Sequence, residues 1–417
     1  MAKICLITPG QPSINPRLVK EADALAEAGH KVHVLCSHIV PWADAFDKKL
    51  LSTRKWTCSY VGGSRGSFLY AWTRLRHGLA RKFCTSGSWT SDWALTRVTP
   101  ELLVAAERCK ADLYIAHYTG ALGAAALAAK KNRARAAFDA EDFESGYYEK
   151  NRGPQPMDVL IEAVERKYLP QCCYISAASP GIAVAYEEKY GISRPTTILN
   201  VFSAAERLPY FRRAVPGDPM RLYWFSQTIG PGRGLEDVIR ALGKLRKRDI
   251  ELHLRGTARP QHWRHLQGLI NENQLSPESV VLHAPAPPDE MVRAAAAFDV
   301  GLALEQPASV NREICLTNKI FAYLLAGNAV AATNTAGQRS ILERIGESGF
   351  LYKPGDVDAL AHRLRHWCQN REQLESARQQ AWCFGTHPFN WDVEKKKFLD
   401  VVGGVLNGRE EYAKAVC

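Results

Sequence analysis

The sequence predicts an α/β protein built from two successive open sheets of parallel strands, and three observations carry that reading. Short apolar runs of strand length alternate with longer helical stretches through the first half. The same rhythm restarts after a turn-rich stretch near residues 204–219. The chain of 417 residues is also too long for one compact core, and suggests two domains of about 150–200 residues each.

The elements follow in order. KICLIT opens the chain and stops at Thr8-Pro9-Gly10. It is too short for the apolar part of a signal peptide and far below the ~20 residues of a membrane span, so it reads as a buried first strand. Pro16 sits where a helix can begin and Gly29 where it can end, and KVHVLC follows as the second strand. DLYIAHY, RAAFDA and CYISAAS supply later strands with helical stretches between them. In the second half RLYWFS, IELHLRG, SVVLHA, DVGLAL and AVAATN play the same part. The expected division is a first domain over 1–203, a linker over 204–219 and a second domain over 220–388. A final helix within 389–417 is expected to cross back onto the first domain. Two such domains would leave a ligand cleft between the carboxyl ends of their strands.

Composition excludes several classes. With 46% hydrophobic and 23% charged residues the chain is neither disordered nor fibrous. Its 11 cysteines are scattered and odd in number, and Cys172-Cys173 has no zinc-type partner pair, which predicts free thiols in the cytoplasm. Net charge is +11, and its distribution matters more than its size. Between Asp47 and Asp92 there is no acidic residue, whereas Lys48, Lys49, Arg54, Lys55, Arg65, Arg74, Arg76, Arg81 and Lys82 all fall there. Within that window SFLYAWTRLRHGLARKF places Phe68, Trp72, Leu75, Leu79 and Phe83 on one helical stripe, with Arg74, His77 and Arg81 opposite. Two readings fit. The helix lies on an anionic membrane surface through Phe68, Trp72, Arg74, Arg76 and Arg81, or it faces the core with a solvated basic back. No base-reading motif accompanies the charge, so nucleic acid is not an expected partner.

Two stretches carry chemistry. In SQTIGPGRGLEDVIRAL, Gly230, Gly232 and Gly234 lie between a strand and a helix with Arg233 among them. Glycines there let backbone N–H groups approach a phosphate, and an arginine can clamp a diphosphate. No Gly-Lys-Ser/Thr follows, and the spacing is not that of a dinucleotide fingerprint. In NREICLTNKIFAYLLAG, Thr317 and Asn318 stand at the start of an apolar helix with Lys319 in its first turn, a second anion site. Both junctions open at the carboxyl edge of one predicted sheet.

Taken together, the chain resembles the retaining glycosyltransferases of family four, which have the GT-B fold of two Rossmann-like domains. GQPSINPRLVKEADALAEAGHKVHVL is similar to that family's opening loop and helix, DLYIAHYTGALGAA to its His-bearing strand end, and FDAEDFESGYYE to its acidic strand and loop. ISAASPGIAVAYEEKYG and TTILNVF match the end of its first domain. GRGLEDVIRAL, FDVGLALE, NKIFAYLLAGNAVAATNTAGQ, GFLYKPGD and FNW match its donor domain. The resemblance implies that the second domain binds a nucleotide-diphosphate sugar, with a UDP-sugar favoured, and that the first holds a carbohydrate or lipid-linked acceptor. Arg233 and Lys319 would neutralise the leaving diphosphate, and His117 would meet the donor sugar. Gly10, Gln227, Gly232, Gly234, Glu305, Asn311, Glu313, Thr317 and Asn318 would surround the donor. Asn15, Asp139, Glu141 and Asp142 would lie on the acceptor side. No metal and no cofactor beyond the sugar nucleotide are implied, and the protein would work in the cytoplasm at the inner face of the membrane.

The chain departs from the family pattern at three places. The second of the family's two glutamates, which usually holds the nucleotide ribose, falls at Ala322. Glu313 lies one position early for the first glutamate, and Gln227 stands near where an arginine is usual. These departures keep open a non-catalytic relative that binds a sugar nucleotide or serves another transferase. A sugar-nucleotide epimerase of the same fold is a third reading.

Overall fold

The computed structural model describes residues 1–85, 91–215, 217–245 and 249–408. It contains two compact units. One is formed by Met1–Ile198, Ser309–Asn311 and the chain from Lys395, the other by Leu199–Ala308 and Arg312–Glu394.

The first unit is built on a seven-stranded parallel sheet: β1 (Lys3–Ile7), β2 (Lys31–Ser37), β3 (Thr57–Val61), β4 (Leu113–His117), β5 (Arg135–Ala140), β6 (Cys172–Ala177) and β7 (Thr196–Thr197), in the order 3-2-1-4-5-6-7. The order reverses between β1 and β4, where sheets of this kind hold ligands outside their carboxyl ends. All of β4 is buried, and so is β1 after Lys3, because helices cover both faces. The second unit repeats the pattern with six parallel strands: β8 (Met220–Ile229), β9 (Ile250–Ala258), β10 (Val280–His283), β11 (Val300–Ala303), β12 (Ala329–Thr333) and β13 (Gly349–Tyr352), in the order 10-9-8-11-12-13. The helix Leu235–Leu245 packs Val238, Ile239 and Leu242 against Leu222 and Leu252 of β8 and β9 in one continuous core. Removing such side chains from water is worth ~1.5–3 kcal/mol each. Both units are therefore Rossmann-like, and the architecture is GT-B, as the sequence predicted.

The structure corrects several details. β3 lies inside the basic window and was not predicted; it pairs only with β2 at the sheet edge, so its residues are half-exposed and leave no apolar run. β8 extends to Ile229, with a register shift between Phe225 and Thr228 that places Gln227 in an exposed bulge rather than in the loop. The stretch predicted as a linker belongs to the second unit and is pinned there. Arg378, 1% exposed, donates to the Arg212 carbonyl at 2.7 Å, and Arg371 donates to the Asp218 carbonyl at 2.5 Å. From Lys395 the helix Trp391–Leu406 belongs to the first unit, and Lys395 pairs with Glu27 at 3.2 Å. Among the described residues no helix is long and apolar enough to cross a membrane.

Candidate functional site

In the second unit the predicted anion-binding stretches come together at the carboxyl edge of the sheet. The turn after β8 needs glycine at Gly234: its φ is +71°, and a Cβ there would lie 2.7 Å from the Leu304 carbonyl oxygen. The turn is thus pressed against the chain leaving β11. Arg233, half-buried on this turn, makes no hydrogen bond or ion pair among the described residues. Arg312 reaches the same turn and donates to the Gly232 carbonyl at 3.4 Å.

Glu305 follows β11 and accepts from Lys319 Nζ at 2.6 Å, with both side chains about nine-tenths buried. Burial alone would raise the pKa of Glu305, but Lys319, then Arg233 and Arg312, bring it below the usual value. Thr317 caps the helix Asn318–Ala326, accepting from the Lys319 N–H at 3.3 Å, and Lys319 Nζ lies 3.3 Å from the same hydroxyl. The amine also stands 5.9 Å from the centre of the Trp224 ring. Three cations therefore converge around one carboxylate, leaving a net positive corner at a helix start.

The remaining donor candidates are placed differently. Glu313 accepts from the Ala336 N–H at 3.1 Å, where the next helix begins, and Asn318 is exposed at the first helical position. Ala322 is fully buried, so that position offers no contact to a ligand. Gln227 is not drawn into the cation group. Asn311 belongs to the first unit. Its amide oxygen accepts from the Phe143 N–H at 2.8 Å and its nitrogen donates to Asp142 at 2.9 Å, so its polar atoms are spent on the loop after β5.

In the first unit His117 ends β4 but does not open to solvent. It is enclosed with Arg17, Glu21 and Asp139, all at most 1% exposed. Arg17 takes both oxygens of Asp139 at 2.6 and 2.7 Å, and Ser176 donates to Asp139 at 2.6 Å. His117 lies 3.3 Å from Glu21 and 3.4 Å from Asp139, close enough for ion pairing but not aligned for hydrogen bonds. Burial disfavours its charge, yet Glu21 and then Asp139 overcome this and hold the imidazole protonated, pushed up to about 9. Burial raises Asp139 too, but Arg17 and His117 keep it well below the usual carboxylate range. By residue type Glu21, His117 and Asp139 could hold a metal ion. They do not fit one here, because Arg17 already supplies a bidentate cation to Asp139.

The other acceptor-side candidates gather at the neighbouring strand ends. Asn15 caps the helix Pro16–Glu27 by accepting from the Leu18 N–H at 3.0 Å, and its buried amide nitrogen has no partner. Gly10 is buried and bridges the ends of β1 and β2, its carbonyl accepting from the Ser37 N–H. Tyr118 holds φ +68°, an unfavourable backbone for its type, and donates to Glu141 at 3.1 Å. Burial, and then Asp142, raises Glu141, while burial and Glu165 push nearby Glu144 up to about 8.

The helix Phe68–Thr85 is oriented opposite to the core-facing reading. Phe68, Trp72, Leu75, Leu79 and Phe83 face solvent, Phe68 at 87% exposure. On its other side Arg74 and Arg81 remain exposed at the rim of a cavity, and His77 is half-buried. Arg76 is not surface-facing: it makes a bidentate pair with Glu101 at 2.7 Å and approaches the Trp93 ring.

The model of the family described as Glycosyl transferases group 1 matches residues 221–370. That match covers most of the second unit, which is therefore similar to a group 1 glycosyltransferase domain. Over the whole length, HepE of Anabaena, solved with UDP and glucose, superposes with a TM-score of 0.71 at 15% identity, covering 97% of this chain and 100% of that one. Sucrose-phosphate synthase of Thermosynechococcus elongatus superposes at 0.70 with 15% identity, covering 98% and 100%. A candidate UDP-N-acetylglucosamine 2-epimerase of Listeria monocytogenes reaches 0.59 at 12% identity, covering 97% of both chains. At such identities the likeness shows the fold. No curated protein sequence matches significantly. In the second unit, Arg312 and Trp224 were missed by sequence reasoning. The arginine was visible beside Glu313, but only the fold brings it to Gly232. In the first unit Arg17 and Glu21 were missed, sitting one helical turn apart and fully buried.

Proposed function

We propose that the protein is a retaining glycosyltransferase that moves a sugar from a nucleotide-diphosphate sugar, with UDP the favoured carrier, to an acceptor hydroxyl held by the first unit. The observation that carries this reading is the convergence of Arg233, Arg312 and Lys319 around Glu305 beside the glycine turn. Negative charge builds on the departing diphosphate as the bond from the anomeric carbon breaks, and fixed cations there stabilise that state. Arg233 is the natural clamp, because its guanidinium makes no hydrogen bond or ion pair among the described residues. Lys319 has donors to spare beyond its bond to Glu305. The acceptor oxygen bonds to the anomeric carbon on the face the diphosphate leaves, and its proton passes to a diphosphate oxygen, so neither a strong protein base nor a metal is needed. His117, enclosed and protonated, acts in this reading by holding the strand ends of the first unit together rather than by touching the sugar.

The solvent-facing stripe of the helix Phe68–Thr85 supports action at the cytoplasmic face of a membrane, in polysaccharide or glycolipid assembly. A second reading, a sugar-nucleotide-binding relative without turnover, is favoured by Ala322, which gives the ribose no carboxylate. The epimerase reading rests on shared fold alone.

Thermal unfolding of the wild type and of Arg233→Ala, each with UDP, GDP, ADP, CMP or dTDP, tests the proposal. A diphosphate at a hundred times its dissociation constant should stabilise the wild type by ~2.7 kcal/mol and the variant far less. No response to any nucleotide would remove the donor site. A response without sugar transfer from the matching sugar nucleotide would favour the non-catalytic relative.

A further inference from the structure

The first unit holds a cavity of about 500 Å³ that the donor chemistry does not use. Its size falls in the range of small-molecule sites, ~300–1,000 Å³. One wall is the chain leaving β1 and β2, and the other is the inward face of the helix Phe68–Thr85. It thus opens at the carboxyl ends of the strands, beside the reversal in strand order.

Its polar lining is basic. Arg74, Arg81 and Arg97 converge there with His38 and His77, and no carboxylate lines it. Arg97 is fixed by neutral groups only. It donates to the Gly62 and His38 carbonyls at 2.8 and 2.6 Å and to Thr73 Oγ1 at 3.0 Å, and it lies 4.4 Å from the centre of the Tyr70 ring. Arg74 and Arg81 are exposed and make no hydrogen bond or ion pair among the described residues. On the same helix, Arg76 is neutralised by Glu101, so the cavity-lining arginines stand out for lacking such a partner. His38 has Asp44 at 2.8 Å, outside the lining. The basicity of His77 is lowered by burial, with Arg81, Arg76 and Arg97 adding to the effect. Like charges held together without a counter-ion oppose folding, and an anionic ligand relieves that repulsion.

We propose that this cavity binds the phosphate or diphosphate group of the acceptor, clamped by Arg74, Arg81 and Arg97. The word acceptor rests on the transferase reading above; the anion site rests on the cavity alone. The exposed apolar stripe on the outer face of the same helix suits an acceptor whose phosphate is carried on a lipid.

Calorimetric titration of inorganic diphosphate and of a short-chain prenyl diphosphate into wild type, Arg74→Ala/Arg81→Ala and Arg233→Ala tests it. The double arginine variant should lose roughly tenfold or more in affinity for both ligands. Arg233→Ala should keep this binding, and the double variant should keep UDP binding. A prenyl diphosphate bound more tightly than inorganic diphosphate assigns a lipid-linked source, while equal affinities assign a soluble phosphorylated acceptor. If UDP fails to bind the wild type while diphosphate binding depends on Arg74 and Arg81, the transferase reading falls and the anion site stands. The proposal is overturned if diphosphate binding is lost in Arg233→Ala and unchanged in the double variant. It is equally overturned if the two arginines matter only for binding to phosphatidylglycerol vesicles. Both side chains are exposed, so the double variant should unfold as the wild type does.

Discussion

Lys319 is doubly committed, to Glu305 and to the diphosphate proposed to arrive beside it. Its removal should show first in stability. Lys319→Ala leaves Glu305 buried with its closest cation gone, and loss of one partner of a buried pair costs roughly 3 kcal/mol. Lys319→Ala/Glu305→Ala should recover part of that loss, because no lone charge remains. Equal urea midpoints for wild type and the single variant would show that the pair does not hold the site. His117 makes a pH prediction. Its ordinary value of 6.5 is pushed up to about 9 in the fold, so its stabilising contribution is complete below pH 6.5 and is lost as pH rises through 9. The unfolding temperature should therefore fall across that window, and His117→Gln should flatten the fall. Glu21, raised mainly by burial, acts in the same direction. An unchanged slope in His117→Gln would mean that the imidazole does not carry this titration.

At the scale of elements, helix ends and buried strands were the most legible features. Thr317 as cap and Gly327 as the left-handed stop, φ +78°, are both readable from residue type, and the helix Asn318–Ala326 lies between them. The helix Phe68–Thr85 was legible as amphipathic but not in orientation, because periodicity gives two faces and does not say which one finds a partner. The basic face lines an open cavity, and the apolar face was left to solvent. Trp72→Ser/Leu75→Ser should leave thermal stability nearly unchanged, since both side chains are about half-exposed, while reducing sedimentation with anionic vesicles at low salt. A large drop in stability would show that the stripe packs within the protein, and unchanged sedimentation would remove the membrane reading.

At the scale of the whole molecule, the sequence by itself determined two parallel sheets and where their buried strands fall. A strand covered on both faces must be apolar along its length, and that is a property of consecutive residues. Edge strand β3, half-exposed and polar, lacks that constraint and was not legible. The stretch around 204–219 read as a tether because its residues suit turns, whereas contacts from residues distant in sequence, Arg371 and Arg378 among them, pin it to the second unit. The charges divide in the same way. Sequence showed that cations would gather at two strand-to-helix junctions and in the acid-free window. Tertiary structure decided which of them are spent: Arg76 on Glu101, Arg17 on Asp139 and Lys319 on Glu305, with Arg74, Arg81 and Arg233 left without an ion-pair partner among the described residues. The physical reason is that apolar periodicity is written along the chain, whereas the energy of a charge depends on what lies within a few ångströms of it and how much water remains between.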